Sequence, residues 1–87
     1  MLRGMDIAAA QCRAARALVN MTQDQLAEAS RVSKRTITHF EAGERRPVPA
    51  TLDALRRALE AAGVEFKPDG SVRLRDDADA PAEARAS

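Results

Sequence analysis

Apolar residues recur at helical spacing in the first twenty residues of the chain. Asp6 is a good N-cap, and the pattern after it predicts a first helix running to about Val19. Asn20 suits a left-handed residue at the end of that helix. The apolar positions of this predicted helix are Ile7, Ala15, Leu18 and Val19.

A second helical pattern lies between residues 49 and 63. Its leucines repeat at spacings of three and four, at Leu52, Leu55 and Leu59. Pro49 fits the first turn of such a helix and Gly63 fits its end.

The apolar period changes to two after Gly63. Residues 64–67 and 72–75 each alternate apolar and polar side chains, and Asp69-Gly70 between them is a strong turn signal. The pattern predicts a β-hairpin. Because an isolated two-stranded hairpin is marginally stable in water, this one needs a surface to lie on. That surface is either the helical body or the same hairpin of a second chain.

Two further short helices, joined by a tight connection, are predicted between residues 22 and 42. Thr22 and Gln25 have the spacing of a capping box at the start of the first helix. Ser33 is an N-cap residue at the start of the second. This arrangement is typical of a helix-turn-helix, the motif that places its second helix in the major groove of DNA.

The second helix of this pair has an inward and an outward face. Ile37, Phe40 and Glu41 share one face at helical spacing. The opposite face carries side chains suited to base edges, namely Lys34, Arg35, Thr38 and His39. An ordinary solvated helix carries the same residue types, so this face alone does not distinguish a recognition helix from a solvated one. The two caps, the tight connection and the basic pair Arg45-Arg46 favour DNA binding.

A longer motif runs in register through this region. It consists of Gln23-x-x-Leu26-Ala27, Val32-Ser33-x-x-Thr36-Ile37 and Phe40-Glu41-x-Gly43-x-Arg45-x-Pro47. With these residues, positions from about 11 to 66 resemble the Cro and lambda-repressor family of helix-turn-helix regulators, also called the xenobiotic-response-element family. The resemblance implies a compact domain of four or five helices, with the second and third forming the motif. It also implies DNA contacts at Gln23, Ser33, Lys34, Arg35, Thr36, Thr38 and His39.

The resemblance has three further consequences. Gly43 is expected to end the recognition helix, and Arg45 and Arg46 to meet the DNA backbone. In the family, the residues matching Arg16 and Glu41 form a partly buried ion pair, which would explain a carboxylate on an apolar face. The turn of the motif usually carries glycine, and this chain has Arg31 there, at a cost of about 1 kcal/mol if its φ is positive.

The expected fold is therefore mainly α. It comprises a compact four- to five-helix DNA-binding domain with a helix-turn-helix over residues 1–63 (motif 22–42), and a short C-terminal β-hairpin over residues 64–75 as a candidate dimer element. Residues 76–87 are expected to form a disordered acidic tail. That tail has a net charge of −3, which leaves 13 basic against 9 acidic residues, a net +4, for the rest of the chain. A basic footprint around the motif suits DNA.

Several classes of function are disfavoured. The chain has no Tyr or Trp and two Phe, too few for base stacking on single strands or RNA. No apolar run reaches membrane-spanning length. The single cysteine, Cys12, is expected to be a small buried thiol, and one cysteine without a disulfide partner suits a cytoplasmic location. Neither catalytic nor metal-binding motifs surround the single His39, so we expect no enzyme activity, no cofactor and no metal.

Two functions fit these observations. The first is a sequence-specific regulator of transcription, most simply a repressor, which binds double-stranded DNA as a homodimer through the last helix and the hairpin. Thr22, Gln23, Ser33 and Thr36 would then position the DNA backbone. The alternative is an antitoxin-type protein that binds a partner toxin and represses its own operon.

Overall fold

The computed structural model describes residues 7–75, which form four helices followed by a two-stranded antiparallel sheet. The helices are α1 (Ala9–Leu18), α2 (Gln23–Ser30), α3 (Lys34–Glu41) and α4 (Pro49–Ala61), and the strands are β1 (Val64–Phe66) and β2 (Val72–Leu74). The predicted mainly α fold with a C-terminal hairpin is confirmed. The predicted tail at residues 76–87 lies outside the described residues.

The start of α1 differs from the prediction. The helix begins at Ala9 with Ala8 as its N-cap, so the predicted start at Asp6 is wrong, and Asp6 itself lies outside the described residues. Ala8 has no side-chain acceptor, but the Gln11 side chain accepts a hydrogen bond from the Ala8 N–H at 2.7 Å. Ile7, only 2% exposed, packs into the core ahead of the helix. Burial of this side chain and the reach of Gln11 therefore set where the helix begins.

The predicted caps of the helix-turn-helix are confirmed. Thr22 Oγ1 accepts from the Gln25 N–H at 3.0 Å, and Gln25 Oε1 accepts from the Thr22 N–H at 2.8 Å. At α3, Ser33 Oγ accepts from the Thr36 N–H at 3.1 Å. Each bond satisfies a donor that the first turn of a helix leaves without a partner.

The turn between α2 and α3 accommodates Arg31 in a left-handed conformation, with φ 65°. A positive φ is less favourable for arginine than for glycine, and hydrogen bonds from the neighbouring Ser30 hold the turn in place. Ser30 Oγ donates to the Leu26 carbonyl at 2.7 Å and accepts from the Val32 N–H at 3.2 Å. The buried Ser30 hydroxyl thus links the last turn of α2 to the residue that precedes the cap of α3.

One hydrophobic core joins all four helices to the hairpin. The leucines that the sequence pattern placed on one face of α4 are buried in this core, and α4 packs against α2, β1 and α1. Among the residues that the structure describes, the buried members of this core are Ile7, Cys12, Ala15, Leu26, Ile37, Phe40, Leu52, Leu55, Leu59 and Val64. Since α3 contributes only its inner face to this core, its outer face is left at the surface.

The hairpin lies on the helical body of its own chain, one of the two surfaces that the sequence left open. Val64 at its base is 1% exposed, and Phe66 and Val72 pack partly against the core. Gln11 Nε2 donates to the carbonyl of Gly70 in the hairpin turn at 2.8 Å, which ties the turn to α1. Leu74, paired with Val64 in the antiparallel register, remains 49% exposed.

Candidate nucleic-acid interface

The outer face of α3 is exposed and cationic at its N-terminal end. Lys34, Arg35 and Thr38 are exposed and His39 is half-buried, while Ile37 and Phe40 face the core. The sequence predicted this division of α3 into two faces. A helix that is buried along one side and presents long donors in its first turn has the form required to enter a major groove.

Four of the predicted DNA-contacting residues line one shallow cleft, namely Arg35, Thr36, His39 and Arg45. Gly43, with φ 78°, follows the end of α3 and turns the chain so that Arg45 returns beside the helix. The cleft brings side chains from the helix and from the following loop to one place. A phosphate or a base edge at this position would meet donors from both.

The remaining predicted contacts are more dispersed. Thr22 lies exposed at the N-terminus of α2, and Ser33 lies exposed at the N-terminus of α3. Ser33 Oγ also lies 3.0 Å from Thr36 Oγ1. Arg46 lines a second cleft with Ala8 and Phe40, and Arg45 borders this cleft as well as the first. The DNA contacts of all ten residues remain predictions, because the structure is that of the protein alone.

Two acidic side chains beside these cations were not anticipated from the sequence. Asp24 Oδ1 lies 3.3 Å from Lys34 Nζ, with the two side chains 74% and 57% exposed. Glu44 Oε1 lies 2.7 Å from His39 Nδ1. A carboxylate only accepts, so this contact requires a proton on His39 Nδ1. Asp24 in the first turn of α2 and Glu44 just after α3 are visible in the sequence, but their proximity depends on the fold.

A buried polar network lies behind this face, centred on Glu41, which is 4% exposed. The ion pair expected from the family resemblance is present: Arg16 Nε lies 2.7 Å from Glu41 Oε2, and Arg16 Nη2 lies 2.7 Å from Glu41 Oε1. Cys12 Sγ donates to Oε2 at 3.1 Å, and Gln23 Nε2 donates to Oε1 at 3.0 Å. Paired, parallel Arg–carboxylate bonds of this kind fix geometry as well as charge.

Arg16 and Arg13 also bind backbone carbonyls near this network. Arg16 Nη1 donates to the Met21 carbonyl at 2.9 Å, between α1 and α2. Arg13 Nη1 donates to the carbonyl of Glu41 at the end of α3, at 2.6 Å. Two arginines of α1 therefore position both helices of the motif. The role of Arg13 was not predicted, because it depends on a residue 28 positions later.

The charges of this network stabilise one another. Burial by itself raises the pKa of Glu41, but hydrogen bonds from Arg16, Gln23 and Cys12 outweigh it, so that the pKa of Glu41 lies below its usual range. The hydrogen bond to Glu41 raises the pKa of Arg16, against the effect of desolvation. Burial, followed by the neighbouring Glu41, raises the pKa of the Cys12 thiol. The core therefore holds a carboxylate, a guanidinium and a neutral thiol.

Gln23 joins this network to the outer face of α3. Its Nε2 donates to Glu41, while its Oε1 accepts from Thr38 Oγ1 at 2.9 Å. Gln23 was predicted to contact the DNA backbone, and its side chain is already engaged on both sides in the structure. The amide nitrogen carries a second N–H, and the backbone N–H of Gln23 lies at the start of α2, so a DNA contact through either donor leaves both bonds in place.

Residues 7–75 contain neither a candidate membrane span nor a cluster of metal-ligating side chains. No helix in this part of the chain is long and apolar enough to cross a membrane. Within the same range, no group of three or more His, Cys, Asp or Glu side chains is placed to hold a metal ion.

Comparison with known proteins gives a result that agrees with this geometry. A helix-turn-helix family model matches residues 13–66, more than half of the chain. This range includes α2, α3, α4 and most of α1. No curated protein matches the chain. The chain belongs to the Cro/lambda-repressor family of helix-turn-helix proteins, and it is a DNA-binding regulator of transcription.

Proposed function

We propose that the protein binds specific sites in double-stranded DNA by inserting α3 into the major groove, and that it represses transcription by occluding a promoter. The observation that carries this proposal is the division of α3. Ile37, Phe40 and Glu41 anchor its inner face, while Lys34 and Arg35 are exposed on its first turn. A helix anchored in this way presents its outer side chains in a fixed register, as base recognition requires.

The role of each side chain would depend on its position. Lys34, Arg35, Thr38 and His39 would face the bases. The polar residues at the helix N-termini, Thr22, Gln23, Ser33 and Thr36, would position the DNA backbone, and Arg45 and Arg46 would bind phosphates. Under this proposal, the ion pair between Lys34 and Asp24 opens on binding, because its members are exposed and a surface pair of this kind is weak.

We also propose that the protein binds DNA as a homodimer through α4 and the hairpin. Regulators of this type bind two half-sites about 34 Å apart, which a single motif cannot occupy. Leu74 offers an exposed apolar side chain on the hairpin, and each strand of a two-stranded sheet has an open edge. Light scattering at tens of micromolar, with and without DNA, tests the assembly. A monomer under both conditions would contradict it.

Selection of bound sequences from a pool of random DNA tests the proposed function itself. We expect an enriched palindrome whose two halves are centred about one helical turn apart. Recovery of unenriched sequences would show that the protein lacks sequence preference and would refute the proposal. A reporter gene placed behind the enriched sequence then tests repression, since occlusion lowers expression only when the site overlaps the promoter.

The antitoxin alternative requires a surface for a protein partner. Val48 and Leu74 are the exposed large hydrophobic residues of the described part of the chain. They lie near opposite ends of α4, a helix about 20 Å long. The two side chains therefore do not contact one another and do not form a continuous apolar patch. A stoichiometric partner, recovered with the tagged protein from its own cells and encoded in the neighbouring reading frame, would favour this alternative.

A further inference from the structure

We propose that Gln23 engages the hydroxyl proton of Thr38, so that Thr38 presents only an acceptor to DNA and selects a base with an exocyclic amino group. In the major groove those bases are adenine, through N6, and cytosine, through N4. This inference rests on the proposed function and specifies what one position of α3 recognises. Gln23 is then a positioning residue, because it acts on the base through Thr38.

The direction of each hydrogen bond follows from the chemistry of the chain Glu41–Gln23–Thr38. An ionised carboxylate accepts hydrogen bonds and donates none. The amide nitrogen of Gln23 must therefore face Glu41 Oε1, at 3.0 Å. This orientation turns the amide oxygen of Gln23 towards Thr38 Oγ1, at 2.9 Å. An amide oxygen cannot donate, so the proton in that bond belongs to the hydroxyl of Thr38.

Glu41 holds this orientation in place. Its two carboxylate oxygens are bound by Arg16 at 2.7 Å each, and the residue is 4% exposed. If the Gln23 amide were flipped, its oxygen would face a buried carboxylate and the bond from nitrogen to Glu41 would be lost. An acceptor facing a buried acceptor is costly, so the amide keeps one orientation.

The consequence for recognition concerns an otherwise ambiguous side chain. A threonine hydroxyl in the major groove can donate to guanine or thymine, or accept from adenine or cytosine, while its methyl group can contact thymine. Thr38 is exposed on the outer face of α3, and its one hydroxyl proton is engaged towards the protein. Of the hydroxyl group, only the acceptor capacity of the oxygen then remains for a hydrogen bond in the groove.

The experiment compares base preference among variants by selection from random DNA, followed by titration of the enriched site with each base at the variable position. For the wild-type protein we expect adenine or cytosine at one position of each half-site. Thr38→Val, which keeps the shape and removes the hydroxyl, should lose this preference by roughly 3- to 10-fold, the value of one neutral hydrogen bond. Thr38→Ser should retain it. Both variants leave the Arg16–Glu41 contacts intact.

The role of Gln23 is tested by Gln23→Met, which is similar in length and lacks the amide. Freed from Gln23, the Thr38 hydroxyl can donate, so guanine and thymine should become acceptable at the same position while other positions keep their preference. In the Thr38→Val background, Gln23→Met should cause no further change there. A merely structural role would instead weaken binding at all positions alike.

Distinct outcomes refute the inference and the proposed function. Selection of guanine or thymine at every position by the wild-type protein, or an unchanged preference in Gln23→Met, would overturn the inference alone. Absence of any enriched sequence would overturn the proposed function. Circular dichroism on heating establishes that each variant is folded, and the Thr38→Val and Thr38→Ser pair decides the base preference even if Gln23→Met is unstable.

Discussion

The two ion pairs next to the helix-turn-helix have the same charges but opposite surroundings. Arg16 and Glu41 are 21% and 4% exposed, and two bonds of 2.7 Å join them between α1 and α3. Lys34 and Asp24 are 57% and 74% exposed, and a single contact of 3.3 Å joins them between α3 and α2. The first pair receives further protein hydrogen bonds, from Cys12 and Gln23 to Glu41 and from Arg16 to the Met21 carbonyl, whereas the second pair is largely exposed to solvent.

This difference separates architecture from recognition. Removing one member of a buried pair leaves the other charge buried without a partner. Such a substitution strongly destabilises the fold. An exposed pair contributes little, because water and salt screen it, and its members are available to a stronger partner. The motif is thus held from α1 by a fixed pair that orients α3, and it carries an exchangeable pair at the surface where DNA would bind.

The largest effect expected from this comparison is a loss of stability in Arg16→Ala. We expect a loss of about 3 kcal/mol in the free energy of unfolding, because Glu41 stays buried without its main partner. The stability of Arg16→Lys should lie between those of Arg16→Ala and the wild type, since lysine cannot bind both carboxylate oxygens in parallel. Lys34→Ala is the matched control and should change stability by less than about 0.5 kcal/mol. Urea denaturation measures all three, and equal losses in Arg16→Ala and Lys34→Ala would remove the distinction.

A smaller effect is expected in the dependence of stability on pH. The pKa of Glu41 is lowered in the folded state by its hydrogen bonds to Arg16, Gln23 and Cys12, although burial opposes this. Its contribution is therefore fully present above its pKa in the unfolded chain, near 4.5, and is lost as the pH falls through the lower folded value.

The test of this pH effect compares wild type with Glu41→Gln. Between pH 5 and pH 3 the wild-type protein should lose more stability than the variant, in which residue 41 does not titrate. Parallel curves for wild type and Glu41→Gln would mean that the carboxylate has no preference for its folded surroundings.

The exposed face should affect DNA binding and leave stability unchanged. Arg35→Ala should reduce the discrimination between the selected site and random DNA by roughly 1–3 kcal/mol, the value of one bidentate base contact. Arg46→Ala should weaken all sequences alike and reduce the salt dependence by about one unit. Fluorescence anisotropy at several salt concentrations measures both. Equal losses on selected and random DNA in Arg35→Ala would show that this side chain does not recognise a base.

The smallest effect expected is a gain in affinity for Asp24→Asn. Removing the acid that competes with phosphate for Lys34 should tighten DNA binding by about 2- to 3-fold at low salt, and the gain should shrink as salt rises. Its cost in stability should stay below about 0.5 kcal/mol. Glu28→Gln, another exposed acid on α2, is the control and should bind as the wild type does. Weaker binding by Asp24→Asn would indicate that the exposed pair positions Lys34.

Local signals in the sequence predicted much of this architecture. The capping box of Thr22 and Gln25 depends on residues three apart, and the left-handed conformations of Asn20 and Arg31 follow from helix ends. The inward face of α3 follows from helical period. The pairing of Arg16 with Glu41 came from family resemblance, since nothing local links positions 25 apart.

Features that depend on contacts between distant residues were not predicted. The bond from Gln23 to Thr38 spans 15 positions, and that from Gln11 to Gly70 spans 59. The sequence also placed the start of the first helix too early, because an N-cap residue at position 6 outweighed the burial of Ile7. Which base each side chain recognises depends on the DNA and remains a prediction.

The single thiol of Cys12 provides an internal reporter of opening. It is fully buried beside Glu41, and both burial and that carboxylate disfavour the thiolate that would react with a disulfide reagent. In the folded protein the thiol should therefore be protected, and labelling should proceed through molecules in which α1 has separated from α3. The rate of thiol labelling then measures, without any engineered probe, how often the helix-turn-helix loses its support and whether bound DNA suppresses that event.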